Sequence, residues 1–340
     1  MVKRIKRDSS GVSPLKVDGK LVSDPKEKAN ALNHQFKSVF NPAISDTDKL
    51  PKMNGNPFPS MPDFQITETG ITKLLKNLKI HKAPGPDGVV PRLLHDYAEY
   101  LTPALTYIFN RSLISMTVPG DWKQANVAPI FKKGEKYQPS NYRPVSLTCI
   151  CCKILEHIIV GNIMDHLEKH NILYDWQHGF RSKRSTETQL VTLIHELGQN
   201  LDNRKQTDII VLDFSKAFDK VSHQHLATKL NHYGIRGSSL GWISSFLSQR
   251  TQRVVLDGVS SETVNVTSGV SQGSVLGPIL FLIYINDLPQ SLSSKVRLFA
   301  DDAILYHEIT CEKDCNILQD DLNKLLYYGL WSSIPSNAKV

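Results

Sequence analysis

Cysteine is scarce. There are five in 340 residues, two of them adjacent at Cys151 and Cys152, too few and too uneven for a disulfide framework. No Cys-x-x-Cys is partnered by another at finger spacing, so Cys149, Cys151, Cys152, Cys311 and Cys315 read as helix-face core residues rather than zinc ligands. Long apolar runs are missing too: the longest, 275–285, is interrupted by Gly277 and Pro278 and falls short of the ~18 residues of a spanning helix. The start, MVKRIKRDSSG, lacks the apolar segment of a secretory signal. A reducing intracellular compartment and no membrane span are therefore expected. Aromatics are only 8%, yet 40% of the residues are hydrophobic, enough for a sizeable core in two domains or one multi-lobed unit, which excludes collagen-like and disordered classes.

Charge is present in both signs and unevenly spread. The formal total is +7, from 40 Lys+Arg against 33 Asp+Glu. Residues 121–184 hold ten basic against six acidic side chains, and 287–324 hold eight acidic against four basic. The first stretch suits polyanions and the second suits cations, although solvated helix surfaces account for charge of this size equally well.

Residues 23–40 have the pattern of an amphipathic helix, capped by Ser23 or Asp24 and apolar at Ala29, Leu32, Phe36 and Val39. Five prolines in 41–62 predict a linker and the clearest boundary in the chain. Helices are expected at 71–78, as a pair over 93–116, at 151–170 and at 188–203, the last opened by Thr186 with Gln189 at capping-box spacing. Strands are expected at 126–133, 141–147 and 207–214, followed by two short helices. Asp-Gly between apolar runs at 253–260 signals a hairpin. A buried helix at 275–288 precedes a second hairpin at 295–307 with Asp301 and Asp302 at its turn. A last amphipathic helix carries Leu318, Leu322, Leu325 and Leu326. No internal repeat or low-complexity tract interrupts this order.

Asp213 stands where the buried strand 207–214 emerges, and Asp301 and Asp302 occupy a turn that is apolar on both arms. Either site alone is an ordinary solvated turn. Together, adjacent carboxylates in an apolar setting call for a neutralising cation, and Mg²⁺ takes carboxylate oxygens together with substrate phosphates. Two such ions about 4 Å apart activate a hydroxyl and steady a leaving phosphate.

VLDFSKAFDKV (211–221), SGVSQGSVLGPILF (268–281) and FADD (299–302) resemble, in order and spacing, the palm motifs of reverse transcriptases of non-LTR, jockey-like retrotransposons. HKAPGPDG (81–88), NYRPVSLT (141–148), QHGFRSKRST (177–186) and FLSQRTQRV (246–254) resemble other blocks of that family, so the resemblance runs from about residue 12 to the C-terminus. It implies an α+β right-hand polymerase core with fingers and an antiparallel palm sheet packed on helices: an N-terminal helical arm and linker at 1–62, fingers at 65–205 and palm at 206–340. It implies RNA-directed DNA synthesis from deoxynucleotides on a DNA primer and RNA template, with two Mg²⁺ or Mn²⁺ ions, inside the cell as a ribonucleoprotein.

Carried over by position, Asp213, Asp301 and Asp302 are the metal-binding carboxylates, with the backbone carbonyl of Phe214 a further ligand. Arg143 and Lys133, with Lys132 beside it, match the triphosphate clamp, a task that suits the planar fork of Arg. Phe218 matches the aromatic gate against the sugar, and Gln272 and Gly273 the turn beside the incoming nucleotide. Gly179, Phe180 and Arg181 match the template-side loop. The resemblance also leads one to expect an endonuclease region before this stretch and a thumb-like helical extension after it, neither found in the 340 residues, with Lys339 where a C-terminal lysine loop begins. Two other readings stay open at this level: an inactive remnant that still binds nucleic acid, and a fragment that needs a C-terminal partner.

Overall fold

The computed structural model describes residues 11–41, 50–331 and 336–339, with side chains described as far as Leu325. The chain opens with a hairpin, β1 (Leu15–Val17) and β2 (Lys20–Val22), that the sequence reading did not anticipate. Its Asp18-Gly19 turn has φ of 48° and 82°, the doubly left-handed geometry that Asp-Gly favours. Helix α1 (Pro25–Lys37) follows, its Asp24 cap accepting from the Glu27 amide at 2.9 Å. Pro42 and the rest of the expected linker up to Lys49 lie outside the described residues. Its remainder, to 62, forms no helix or strand but is tied down: the Phe58 and Met61 amides donate to the His232 and Gly234 carbonyls at 2.9 and 2.8 Å.

Helices α2 (Glu68–Lys76), α3 (Pro91–Asp96) and α4 (Ala98–Ile114) precede strands β3 (Gln124–Phe131) and β4 (Tyr142–Leu147). Then come α5 (Ile150–Lys169), α6 (Thr186–Asp202), β5 (Gln206–Phe214), α7 (His223–His232) and α8 (Gly237–Leu247). The cap of α6 is Ser185 rather than Thr186, and the reciprocal box closes with Thr188 rather than Gln189, because the Thr hydroxyl reaches back to the Ser185 amide at 2.9 Å. The remaining elements are β6 (Arg250–Leu256), β7 (Val259–Ser260), β8 (Val264–Val266), α9 (Leu276–Ile285), β9 (Lys295–Phe299), β10 (Asp302–Ile309), α10 (Glu312–Trp331) and β11 (Ser336–Lys339).

Two larger sheets organise this mixed α/β chain. One is antiparallel throughout, in the order β11-β5-β10-β9. The other runs β4-β3-β6-β7, with β8 also on β6, and its β3 and β6 are parallel although more than a hundred residues separate them in sequence. Nine of the ten residues of α9 are buried, as befits a helix apolar on every side, and α9 anchors the main core together with α5, α7, β5, β9 and β10. A second core joins Leu15, Ala29, Leu32 and Phe36 to Val127, Tyr142, Val254 and Leu256, so α1 covers the back of the second sheet. Cys149 and Cys152 are buried as expected, but Cys311 and Cys315 are exposed: they open α10, before its inward face begins at Leu318. Leu326 lies outside the described side chains. Among the described residues no helix is long and apolar enough to cross a membrane.

Candidate active site

Strand β5 alternates: Ile210, Leu212 and Phe214 point into the core, and Asp213 shares the outer face with Ile209 and Val211. Pairing with β10 sets Asp213 directly opposite Asp302. Opposed residues of an antiparallel pair present their side chains on one face, about 4.5–5.5 Å apart. Asp301 belongs to the two-residue turn from β9 to β10, where Ala300 adopts a left-handed φ of 53°. Burial raises the carboxyls of both Asp301 and Asp302 above the ordinary range; the negative charge of Asp213 adds to it, and Arg143 draws both back down, joined at Asp302 by Lys132. Among the described residues no three acidic, His or Cys side chains stand closed into a metal cage. The carboxylates of Asp213 and Asp302 are set on one face of the sheet, and their oxygens are hard donors of the kind that divalent cations take.

Beside the carboxylates lies a cleft of about 600 Å³. Lys132, just past the end of β3, and Arg143 of β4 line it, with Asp213 and Phe214 of β5, Phe218 beyond β5 and Asp301 of the β9–β10 turn. Strand alternation explains Arg143: its neighbour Tyr142 is buried against α1, so the guanidinium is turned outward into the cleft. Phe218 follows β5 in a short 3-10 turn, stacked on Phe281 of α9 with centroids 4.4 Å apart and the planes 19° from parallel. The edge of Phe180 meets the same ring at 6.2 Å, so Phe218 is held as a wall.

Gln272 and Gly273 close the cleft ahead of α9. The Ser146 amide of β4 donates to the Gln272 carbonyl at 2.7 Å, and the Gln272 carboxamide donates to Asp219 Oδ1 at 3.1 Å. Gly273 has φ of +115°, and a Cβ there would stand 2.5 Å from the Ser146 oxygen, so no other residue fits.

A profile described as "Reverse transcriptase (RNA-dependent DNA polymerase)" matches residues 130–338, most of the chain. The chain belongs to the reverse transcriptase family. It is 30% identical over 260 residues to the probable RNA-directed DNA polymerase from transposon X-element of Drosophila melanogaster, covering 75% of this chain and 28% of that protein. It is 28% identical over 345 residues to the corresponding protein from transposon BS of the same organism, covering 95% and 37%. To the RNA-directed DNA polymerase from mobile element jockey of Drosophila melanogaster it is 31% identical over 231 residues, covering 68% and 25%. The chain thus spans roughly a quarter to two fifths of the length of these relatives, and the jockey-like resemblance read from the motifs is borne out.

Every candidate residue except Lys339 lies within the stretch that the reverse transcriptase profile matches. Lys132, Arg143, Phe180, Asp213, Phe214, Phe218, Gln272, Gly273 and Asp301 share one cleft; Lys133 and Asp302 do not line it, although Asp302 faces Asp213 across the strands. Arg181 and Gly179 are engaged elsewhere. The Arg181 guanidinium donates to the Tyr174 carbonyl at 3.0 Å, and Gly179 lies so close to the turn from β9 to β10 that a Cβ would stand 2.3 Å from the Ala300 nitrogen. The backbone of Lys339 pairs with Val211, two residues before Asp213, which itself pairs with Asn337, and the side chain of Lys339 lies outside the described residues.

Sequence reasoning passed over Asp219, Gln177 and Lys216. Lys216 lines the cleft at a left-handed φ of 54°, and Asp219 holds Gln272. All three lie inside the quoted motifs, but the partners of Asp219 and Gln177, Gln272 and Ala300, are distant in sequence and only the folded chain brings them together.

Proposed function

We propose that this chain is the RNA-directed DNA polymerase portion of a jockey-like transposable element, which joins a deoxynucleotide to the 3′-hydroxyl of a DNA primer paired with an RNA template. The observation that carries this reading is the register of Asp213 opposite Asp302 with Asp301 in the adjoining turn, faced by Arg143 and Lys132. We assign residues 65–205 to the fingers, with β6 to β8 completing their sheet, 206–340 to the palm and the antiparallel sheet, and 1–62 to an N-terminal arm and linker.

Asp213, Asp301 and Asp302 would hold two divalent ions, Mg²⁺ or Mn²⁺, with the Phe214 carbonyl a further oxygen, and such ions would supply activation of the primer hydroxyl and neutralisation of charge on the transferred phosphate. Arg143 grips phosphate oxygens of the nucleotide through its fork, and Lys132 and Lys133 add point charge. Phe218, immobile between Phe281 and Phe180, stands against the sugar. Gln272 and Gly273 border the incoming base, and the loop of Gly179, Phe180 and Arg181 flanks the template strand.

Primer extension on an RNA template by the purified chain tests this. Activity is expected only with Mg²⁺ or Mn²⁺, and Asp213→Asn or Asp301→Asn is expected to abolish it while template affinity stays. Extension by Asp301→Asn at the parent rate would overturn the assignment.

A further inference from the structure

Gln177, in the loop between α5 and α6, is 2% exposed. Its carboxamide oxygen accepts from two backbone amides far apart in sequence, Gly179 N at 2.8 Å and Ala300 N at 2.9 Å. Both partners are N–H donors, so only the oxygen can face them and the flipped amide does not fit. Around this bond the loop is laced to β9: the Leu298 amide donates to the Trp176 carbonyl at 3.0 Å and the His178 amide to the Leu298 carbonyl at 2.9 Å. The close approach of Gly179 to Ala300 leaves the turn no room to shift towards the loop. Gln177 Nε2, meanwhile, is buried with no partner among the described residues. The unpaired Nε2 costs stability, whereas the oxygen is the part the fold uses: an apolar side chain would strand the Gly179 and Ala300 amides together. What the Gln supplies is a position for the Ala300 amide.

We propose that Gln177 is a positioning residue for the catalytic carboxylates. By fixing the Ala300 N–H it holds the left-handed turn that presents Asp301 and Asp302 towards Asp213. By binding Gly179 with the same oxygen it makes the template-side loop and the carboxylate turn one rigid piece. The proposal rests on the reading of Asp213, Asp301 and Asp302 as metal ligands. Loss of the Gln177 oxygen then weakens metal binding and leaves the triphosphate grip of Arg143 intact.

The test compares the full chain with Gln177→Met, of similar length without an acceptor, and Gln177→Glu, which keeps one. Two readouts need no catalysis: amide hydrogen exchange at Ala300, and Mn²⁺ affinity measured by electron paramagnetic resonance. In the parent, Ala300 is expected to be protected like the ladder amides of β9 and β10. Gln177→Met is expected to speed its exchange and to weaken Mn²⁺ binding about tenfold or more, the usual scale for residues that orient metal ligands. Gln177→Glu restores both, and the nucleotide KM at saturating Mg²⁺ stays at the parent value in each. Unchanged Ala300 exchange or unchanged Mn²⁺ affinity in Gln177→Met overturns the proposal. So does fast Ala300 exchange in the parent, a measurement that stands even if Gln177→Met does not fold. A parent chain that binds no Mn²⁺ but protects Ala300 defeats the metal reading and the proposal resting on it, while sparing the hold of Gln177 on the turn.

Discussion

Asp219 carries its carboxyl beneath the cleft, where it accepts from Gln272. Burial, partly offset by Lys216 and by that hydrogen bond, pushes it up to about 6. The unfolded chain releases this proton near 3.8, so between about pH 4 and 6 the folded state binds more protons and its stability falls as pH rises. The difference amounts to roughly 3 kcal/mol, complete above pH 6. Asp219→Asn removes this slope, so the gap in unfolding free energy between parent and variant is expected to change by about that amount between pH 4 and 7 in denaturant titrations. Asp219→Ala, which also strands Gln272, is expected to raise the nucleotide KM about tenfold, the cost of one charge-assisted hydrogen bond. Phe218 belongs at the same scale. If the ring, stacked on Phe281, is the wall against the sugar that we propose, Phe218→Val is expected to lower the deoxy-to-ribonucleotide ratio of kcat/KM by tenfold or more.

Helix α6 is clamped to the antiparallel sheet through Glu196. The carboxylate accepts from Arg297 Nη2 at 2.5 Å, Lys295 Nζ at 2.8 Å and the Tyr306 hydroxyl. Burial raises its pKa, but these three bonds outweigh burial and hold it at about 2. Its folded pKa is thus depressed, and the stability it contributes is present above about pH 4.5 and lost as pH falls towards 2. Arg297 is 1% exposed and would be left as a buried cation without its carboxylate partner. Glu196→Gln is expected to cost up to about 3 kcal/mol at pH 7 by denaturant unfolding, with the deficit shrinking below pH 4. An equal deficit at pH 7 and pH 3 would mean that packing, not charge, holds α6 in place.

Across the whole molecule, the second core ties α1 to the strand that carries Arg143, which we propose grips the nucleotide. Leu32 of α1, fully buried, packs in the cluster that contains Tyr142, the neighbour of Arg143 on β4. Leu32→Ala is expected to cost about 2–5 kcal/mol by leaving a cavity. By loosening the back of β4 it is also expected to raise the nucleotide KM, whereas an exposed α1 substitution such as Lys37→Ala leaves both unchanged. The net charge of +7 acts at this scale too, with the basic stretch 121–184 supplying Lys132 and Arg143 to the cleft.

The elements themselves were legible from local pattern. An apolar run ending at Asp213 marked β5, an apolar run broken only by Gly277 and Pro278 marked α9, and Asp-Gly marked the turn at Asp257-Gly258; the same signal at Asp18-Gly19 was there to be read and was passed over. Motif order was enough to single out Asp213, Asp301 and Asp302, because a carboxylate ending a buried strand, or sitting at an apolar turn, is locally anomalous. Local pattern carries no information on pairing across the chain. The parallel contact of β3 with β6, the docking of α1 on their sheet, and the bonds of Gln272 to Asp219 and of Gln177 to Ala300 all join residues distant in sequence. Those partners are chosen by burial and by the need to satisfy backbone amides once the core has closed, and only the tertiary structure decided them.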